Sequence, residues 1–289
     1  MGMYTTNEIS LLCQWSKPKI GIVLNVGPVH LERAGSIENI IKAKQELVEA
    51  LPENGVAVLN IDDPSVRKMA EHTSANVIFI GQNPSAMIRG TEIKSIGQEG
   101  FNFNLEIENQ KRKIHVPLPG THLMTNLLAA SAVAHILGMD IDEIAEKIST
   151  LDSTLRTKIS TLPGNILLLD DTYNASPASM HAAINLLSEL PGRHFALLGD
   201  MLELGSESQN AHEEIGKRAA QDIDVLFTIG DLGLIINKFA SKSGDFEATH
   251  ITEKNLAAQL IANRLKPCLL YTSDAADEGL GVDLGGRRI

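Results

Sequence analysis

The stretch "NILLLDDTYNASPASMHAAINLLSEL", residues 165–190, contains a strand signal followed directly by a helix signal. The run "ILLL" is continuously apolar, which is typical of a strand buried on both faces of a sheet. From Pro177 onward the apolar residues recur at helical spacing, and proline is favoured in the first turn of a helix. This order, strand then helix, predicts one unit of a parallel α/β sheet.

The same alternation continues to residue 264. Because strands that alternate with helical patterns indicate a parallel sheet, we predict a Rossmann-like domain over residues 153–267. Its further predicted strands are "HFALLGD", "DVLFTIGD" and "EATHI", and its predicted helices are 177–189, 207–220, 232–241 and 254–264.

An earlier α/β alternation precedes that domain. Buried-strand signals lie in "KIGIVLNV", "GVAVLNIDDP" and "NVIFIG", and Ser36 is a candidate N-cap for a helix after the first of them. Residues 88–117 alternate apolar and polar side chains, which is typical of antiparallel strands with one exposed face. We therefore predict a second α/β domain over residues 1–152, with a mostly parallel sheet and a small antiparallel sheet.

The composition and net charge of the chain disfavour some classes of function. The chain has 289 residues, 43% of them hydrophobic and 21% charged, which is typical of globular proteins. A formal net charge of −11 disfavours non-specific nucleic-acid binding, which requires a basic face. The two cysteines, Cys13 and Cys268, show no disulfide framework, and no apolar run is long enough to span a bilayer. We expect a cytoplasmic protein that binds neither nucleic acid nor membrane.

The last 22 residues, 268–289, break the α/β pattern. The sequence "CLLYTSDAADEGLGVDLGGRRI" resembles the translation of a sequencing-library adapter. We therefore expect residues 268–289 to be a non-native tail without function. The alternative is a natural, glycine-rich disordered tail.

Polar residues follow several predicted strands, where ligands bind in parallel α/β sheets. Asp171 lies in a cluster of polar residues, which favours a functional role. Asp200 and Asp231 could instead cap the helices that follow them. His30 lies on a loop and Lys44 on a helix, where each is usually an ordinary surface residue, so their spacing alone decides nothing.

Residues 1 to about 267 resemble the Mur ligase family. "IGIVLNVGPVHLERAGSIENIIKAKQELVEALPENGVAVLNIDD" is similar to the family's ATP-binding central domain, and "LPGTHLMTNLLAAS" resembles its adenine-side motif. "LLLDDTYNASPASM" and "LLGDMLELGSES" resemble the member that adds D-alanyl-D-alanine. The resemblance implies a ligase that uses ATP to convert a carboxylate into an acyl phosphate, which an amine then attacks.

The implied substrates are UDP-N-acetylmuramoyl-tripeptide and D-alanyl-D-alanine, in peptidoglycan synthesis and hence cell-wall growth, cell shape and cell division. The implied cofactors are ATP, Mg²⁺ and CO₂ bound as a lysine carbamate, and we expect a monomer. The implied catalytic residues are Lys44 as its carbamate, Arg156 at the γ-phosphate and His212. The implied metal ligands are His30 and Lys44. The implied nucleotide contacts are Asn126 at adenine, Asp171 at the ribose hydroxyls, Arg156, Tyr173 and Asn174. Ser179, Asp200 and Glu203 are expected on the substrate side.

The chain also departs from the family pattern. The phosphate-binding motif G-x-x-G-K-[ST] is not found in it, and Leu123 stands where the family usually has asparagine. We therefore expect a fragment that lacks the N-terminal domain and that has no turnover by itself. The alternatives are a related Mur ligase, a folylpolyglutamate synthase or a non-catalytic nucleotide-binding module. An NAD-dependent oxidoreductase would need G-x-G-x-x-G directly after a strand, which is not seen before the tail.

Overall fold

A computed structural model describes residues 2–3, 5–28, 31–151, 158–172, 174–243, 246–264 and 269–273. The chain divides into two compact units. The first is Met1–Ser153 with Glu203–Gly205, and the second is Thr154–Leu202 with Ser206–Ile289. The domain boundary predicted between residues 152 and 153 lies outside the described residues.

The first unit contains a six-stranded sheet, with its strands in chain order. The first four strands pair in parallel and the last three pair antiparallel, so the antiparallel strands continue the same sheet. The predicted α/β class, with parallel and antiparallel strands, is confirmed. The strands are β1 (Ile20–Val23), β2 (Val56–Asn60), β3 (Asn76–Gly81), β4 (Ile88–Ser95), β5 (Phe101–Ile107) and β6 (Gln110–Val116).

The α-helices described in this unit are α1 (Glu8–Ser16), α2 (Leu31–Ala34), α3 (Ile37–Glu49), α4 (Pro64–Lys68), α5 (Met124–Ile136) and α6 (Ile141–Ser149). Ser36 is the N-cap of α3, as predicted, because its hydroxyl accepts a hydrogen bond from the Asn39 N–H. The carboxylate of Glu46, on α3, accepts hydrogen bonds from the N–H groups of Asn7 and Ser10. This carboxylate therefore supplies acceptors at the first turn of α1, whose own N-cap side chain makes no such bond.

The largest core of the first unit lies under α5. Phe101, Phe103 and Leu105 of β5 are completely or almost completely buried, and they belong to the same apolar cluster as Leu128 and Ala132 of α5. Burying a side chain of leucine or phenylalanine size contributes about 1.5–3 kcal/mol. This cluster fixes α5, and therefore the adenine-side motif at its start, on the sheet.

The second unit contains a second six-stranded sheet. Its strands are β7 (Lys158–Leu162), β8 (Ile166–Asp170), β9 (His194–Leu198), β10 (Val225–Ile229), β11 (Glu247–Ile251) and β12 (Leu269–Ser273), in the order β11-β10-β9-β12-β8-β7. All neighbours pair in parallel except β7 with β8. The helices are α7 (Pro177–Glu189), α8 (Ser208–Asp222), α9 (Gly233–Ala240) and α10 (Lys254–Ala262). The Rossmann-like strand and helix pattern is confirmed.

The strand β12 lies within residues 268–289, the segment predicted to be a non-native tail. It pairs with β8 on one side and β9 on the other, in the middle of the sheet. Residues 274–289 of the predicted tail lie outside the described residues.

Within the described ranges, none of the helices has both the length and the apolar character needed to cross a bilayer.

The turn before β5 requires glycine. Gly100 has φ +101°, and a Cβ at this position would overlap the carbonyl oxygen of Val116. We expect Gly100→Ala to lower the free energy of unfolding by about 3 kcal/mol or more, since backbone strain and steric overlap add. Gly138 also has a positive φ, +95°, but no heavy atom lies within 4 Å of the place that a Cβ would take there. Gly138→Ala should therefore cost only about 1–2 kcal/mol. Urea unfolding of both variants tests this, and equal losses would contradict it.

Candidate functional site

In the first unit, the polar residues that follow β1 and β2 meet at one edge of the sheet. The chain leaves β1 into the loop 24–27, and β2 ends at Asn60, which Asp62 and Asp63 follow closely. The amide of Asn60 donates a hydrogen bond to the carbonyl of Leu24, at 2.9 Å. The carboxyl ends of neighbouring parallel strands are where ligands bind in sheets of this kind.

Lys44 reaches the same loop from α3. Its Nζ donates a hydrogen bond to the carbonyl oxygen of Asn25, at 2.7 Å. Burial lowers the pKa of Lys44, and the nearby charge of Asp63 partly opposes this effect. Lys44 therefore loses its proton more readily than an exposed lysine does, which favours reactivity of its amine.

A cavity of about 490 Å³ lies beside β1 and is lined by residues of α1, α3 and the loop 24–27. Among its described lining residues, Lys44 is the only one with an ionisable side chain, and Asn25 is the only other polar one. Most of the remaining lining residues are aliphatic. An amine at the wall of a largely apolar cavity is the environment that lowers its pKa.

The two carboxylates after β2 are already bound by backbone N–H groups. Asp63 accepts from Val26 at 2.8 Å and caps α4, while Asp62 accepts from Gln82 at 2.7 Å and from Asn83 at 3.0 Å. These bonds use both oxygens of each carboxylate. In the part of the chain that is described, no three His, Cys, Asp or Glu side chains are grouped so as to hold a metal ion. The expected ligand His30 lies outside the described residues.

The adenine-side motif lies at the start of α5. His122 is exposed in the short 3₁₀ turn Thr121–Leu123, and Asn126 is exposed on the first turn of α5. Leu123, which replaces the family's usual asparagine, packs against the apolar core. The motif therefore presents one exposed amide, that of Asn126.

In the second unit, polar residues follow β8. Asp170 closes the turn, because its Oδ1 accepts hydrogen bonds from the N–H and the hydroxyl of Thr172. Asp171 is partly exposed immediately after the strand, and Asn174 is exposed. Tyr173 and Arg156, both expected at the nucleotide, lie outside the described residues.

Ser179 takes part in a capping box at the start of α7. Its hydroxyl accepts from the N–H of Ser176, and the hydroxyl of Ser176 accepts from the N–H of Ser179. Proline occupies the first helical position, Pro177, as predicted. These local bonds involve Ser179 in the helix start. The substrate-side position that the resemblance implied for it stays a prediction.

The side chain of Asp200 also bonds to the start of a helix. Its Oδ1 accepts a hydrogen bond at 2.7 Å from the N–H of Gly233, the first residue of α9. This helix is not α8, the following helix that the sequence left open as the one Asp200 could cap. The substrate-side role implied for Asp200 stays a prediction. Glu203 belongs to the short segment assigned to the first unit. There its carbonyl accepts from the N–H of Glu32, and its carboxylate lies 3.5 Å from Arg33.

His212 has no exposed surface. Its Nε2 accepts a hydrogen bond from the N–H of Met201 at 2.9 Å, and its Nδ1 lies 2.6 Å from the carbonyl of Ser208. With the proton on Nδ1, the neutral ring makes both bonds, and burial lowers the pKa of His212 accordingly. These two contacts fix the segment after β9 against α8. The catalytic role that the resemblance implied for His212 stays a prediction.

Removing this ring should destabilise the second unit. We expect His212→Ala to lower the free energy of unfolding by about 2–4 kcal/mol, because it leaves a cavity and an unpaired N–H at Met201. The control is His181→Ala, which removes a partly exposed ring that pairs with Glu214 at 3.2 Å and should cost less than about 1 kcal/mol.

The effect of His212 should also depend on pH. Because its pKa in the folded chain lies below the ordinary value of 6.5, its stabilisation is fully present above pH 6.5 and is lost as the pH falls. The difference in unfolding free energy between the unmodified chain and His212→Ala should therefore shrink on acidification. A difference that stays constant from pH 8 to about pH 5 would contradict the neutral, backbone-bonded ring.

Comparison with known proteins places both units in one family. The Mur ligase middle domain matches residues 1–134, and the glutamate ligase domain of Mur ligases matches residues 156–269. The UDP-N-acetylmuramoyl-tripeptide–D-alanyl-D-alanine ligase of Escherichia coli K12 is 35% identical over 80% of this chain and 52% of its own length. The ligase of the same name from Mycobacterium tuberculosis H37Rv is 30% identical over 96% of this chain.

Solved structures show the same fold. MurF from Acinetobacter baumannii has a TM-score of 0.85 at 24% identity, and covers 95% of this chain and 60% of its own. MurF from Thermotoga maritima in complex with ADP has a TM-score of 0.82 at 26% identity, and covers 94% of this chain and 62% of its own. The chain spans 52–59% of the length of the curated relatives named above. With two Mur ligase domains matched in sequence along most of its length, this chain belongs to the Mur ligase family.

Proposed function

We propose that this chain carries the middle and C-terminal portions of an ATP-dependent ligase that joins D-alanyl-D-alanine to UDP-N-acetylmuramoyl-tripeptide. The observation that carries the proposal is the sequence similarity between this chain and relatives that all share one name. The enzymes of Escherichia coli, Mycobacterium tuberculosis and Bacillus subtilis all have this name and are 30–35% identical over 80–96% of the chain. These relatives do not favour a folylpolyglutamate synthase.

The proposed reaction has two steps. The carboxylate of the tripeptide attacks the γ-phosphorus of ATP, which forms an acyl phosphate and releases ADP. The amine of D-alanyl-D-alanine then attacks the acyl carbon and forms the amide, while inorganic phosphate leaves and the amine gives up a proton. Both steps depend mainly on positioning and on neutralising phosphate charge.

The nucleotide contacts are part of the proposal. ADP is bound in the MurF structure from Thermotoga maritima, which supports an adenine nucleotide here. We assign Asn126 to adenine and Asp171 to the ribose hydroxyls, and both have exposed or partly exposed polar side chains. Arg156, Tyr173 and Asn174 complete the proposed nucleotide contacts. When bound, Mg²⁺ would neutralise phosphate oxygens, and a Mg²⁺ ion in such sites commonly takes several of its ligands from the nucleotide and water.

A carbamate on Lys44 is a further element of the proposal. The neutral Nζ would form a bond to the carbon of CO₂ and lose one proton, so that the cationic side chain becomes an anionic one. The lowered pKa of Lys44 and its position at the cavity wall support this step. The resulting carboxylate-like group, with His30, would provide oxygen and nitrogen ligands of the kind that the described residues do not supply.

The cellular assignments follow from the proposed reaction. Its substrates are small molecules of peptidoglycan synthesis, so the enzyme would contribute to cell-wall growth, cell shape and division. We propose a cytoplasmic, monomeric enzyme.

A chimera tests the function. Residues 1–269 of this chain replace the matching segment of the Escherichia coli relative, and ADP release is measured with UDP-N-acetylmuramoyl-tripeptide and D-alanyl-D-alanine. We expect sustained ADP release, over many turnovers, that requires both substrates, because the first step alone releases one ADP per bound acyl phosphate. Lys44→Ala should lower the rate about 100-fold or more, and added bicarbonate should not restore it.

The matched control is Lys42→Ala, which removes an exposed lysine from the same helix and should leave the rate unchanged. A folded chimera that releases many ADP molecules per enzyme without D-alanyl-D-alanine would contradict the proposed substrate. Equal rates for the two lysine variants would contradict the role of Lys44.

A further inference from the structure

The loop 24–27, between β1 and the segment that contains His30, is tied down by three side chains from three different elements. Asn60 ends β2, Lys44 lies on α3, and Asp63 is the N-cap of α4. Each binds a backbone group of a different loop residue. The bonds are Asn60 Nδ2 to Leu24 O at 2.9 Å, Lys44 Nζ to Asn25 O at 2.7 Å, and Val26 N to Asp63 Oδ2 at 2.8 Å.

Three consecutive backbone anchors leave a loop of this length few alternative conformations. Backbone groups in a loop have no strand partner, so each must find a side chain or water. Here side chains satisfy one group on each of three successive residues. The loop is therefore fixed before any ligand arrives, and preorganisation of this kind supports a binding or catalytic site.

The carboxylate of Asp63 is hydrogen-bonded to two segments, the start of α4 and the loop 24–27. Its Oδ1 accepts from the N–H groups of Ser65 and Val66 at the start of α4, while its Oδ2 accepts from Val26. Pro64 follows it at the first helical position, which further restricts the backbone. One carboxylate therefore joins the loop to a rigid helix start.

We propose that Asp63 is a positioning residue of this site, which acts through Val26 to hold the loop that presents the Asn25 carbonyl to Lys44. Asn60 supports the same loop from β2. The importance of Lys44 for the reaction rests on the proposed function, but the positioning of the loop by Asp63 can be measured without it.

The simplest other role for Asp63 is the capping of α4 alone. Asp63→Asn separates the two, because asparagine is as good an N-cap as aspartate and keeps one oxygen acceptor. It replaces the second oxygen with an amide nitrogen, which cannot accept from Val26. Asp62→Asn is the matched control, since Asp62 makes the same kind of bonds to Gln82 and Asn83 instead.

Amide hydrogen exchange on the 289-residue chain measures the attachment directly. In Asp63→Asn we expect the Val26 amide to exchange about tenfold faster or more, while the amides of Ser65 and Val66 keep their protection. In Asp62→Asn the faster exchange should move to Gln82 and Asn83. Unchanged protection of Val26 in Asp63→Asn would overturn the proposal.

A second measurement asks whether the loop positions Lys44. The acylation rate of Lys44 by acetic anhydride is compared with that of Lys42, which is exposed on the same helix. Asn60→Ala releases the loop at Leu24 without changing any charge, so it controls for the charge lost in Asp63→Asn. We expect the Lys44 to Lys42 ratio to rise several-fold in both variants and to stay unchanged in Asp62→Asn.

An unchanged ratio in Asn60→Ala and Asp63→Asn would overturn the link between the loop and Lys44. Both measurements use the chain without nucleotide or CO₂. If the chimera described above lacks ligase activity while Val26 and Lys44 respond as expected, the proposed function fails and the positioning role of Asp63 stands. If Val26 does not respond and the chimera is active, the reverse holds.

Discussion

Hydrogen bonds from the backbone of strand-end loops to side chains elsewhere in the fold are the interaction on which the rest of this structure depends. Parallel strands stop abruptly, and the chain that leaves them has N–H and C=O groups without a ladder partner. In the first unit Asp63 accepts a hydrogen bond from the N–H of Val26, and in the second unit His212 accepts one from the N–H of Met201. The acceptors lie 37 and 11 positions further along the chain.

Each unit contains polar side chains that accept hydrogen bonds from backbone N–H groups. Asp62 does so in the first unit, and Asp200, Ser179 and His212 do so in the second. Lys44 donates to the carbonyl of Asn25 and also lines a cavity, while Asn126 is exposed and Asp171 is partly exposed.

The sequence predicts most of the architecture because its signals are local. Continuous apolar runs locate the strands, and the helix predicted over residues 177–189 is the one that the structure shows at α7. The strand β12 is not predicted because its residues are assigned to the adapter-like tail, and β7 is not predicted because Lys158–Leu162 is an edge strand of mixed character.

The site is less predictable because its bonds join distant residues. Asp63 and Val26 are 37 positions apart, and neither segment contains a sequence signal that indicates the hydrogen bond between them. Resemblance to the Mur ligases implied roles for His212 and Ser179, but it carried no information on their hydrogen bonds. Histidine is a residue type common in catalysis, but His212 is buried and hydrogen-bonded to backbone. Its burial and geometry are visible in the structure and not in the sequence.

The most direct test of this account is residue-resolved amide hydrogen exchange across the unmodified chain. The amides of Val26, Gln82, Met201 and Gly233 lie in loops or at a helix start, where amides usually exchange fast, but each donates to a side chain. We expect protection of these four amides that approaches that of the neighbouring β-strands. Exchange as fast as in the exposed turns would contradict it.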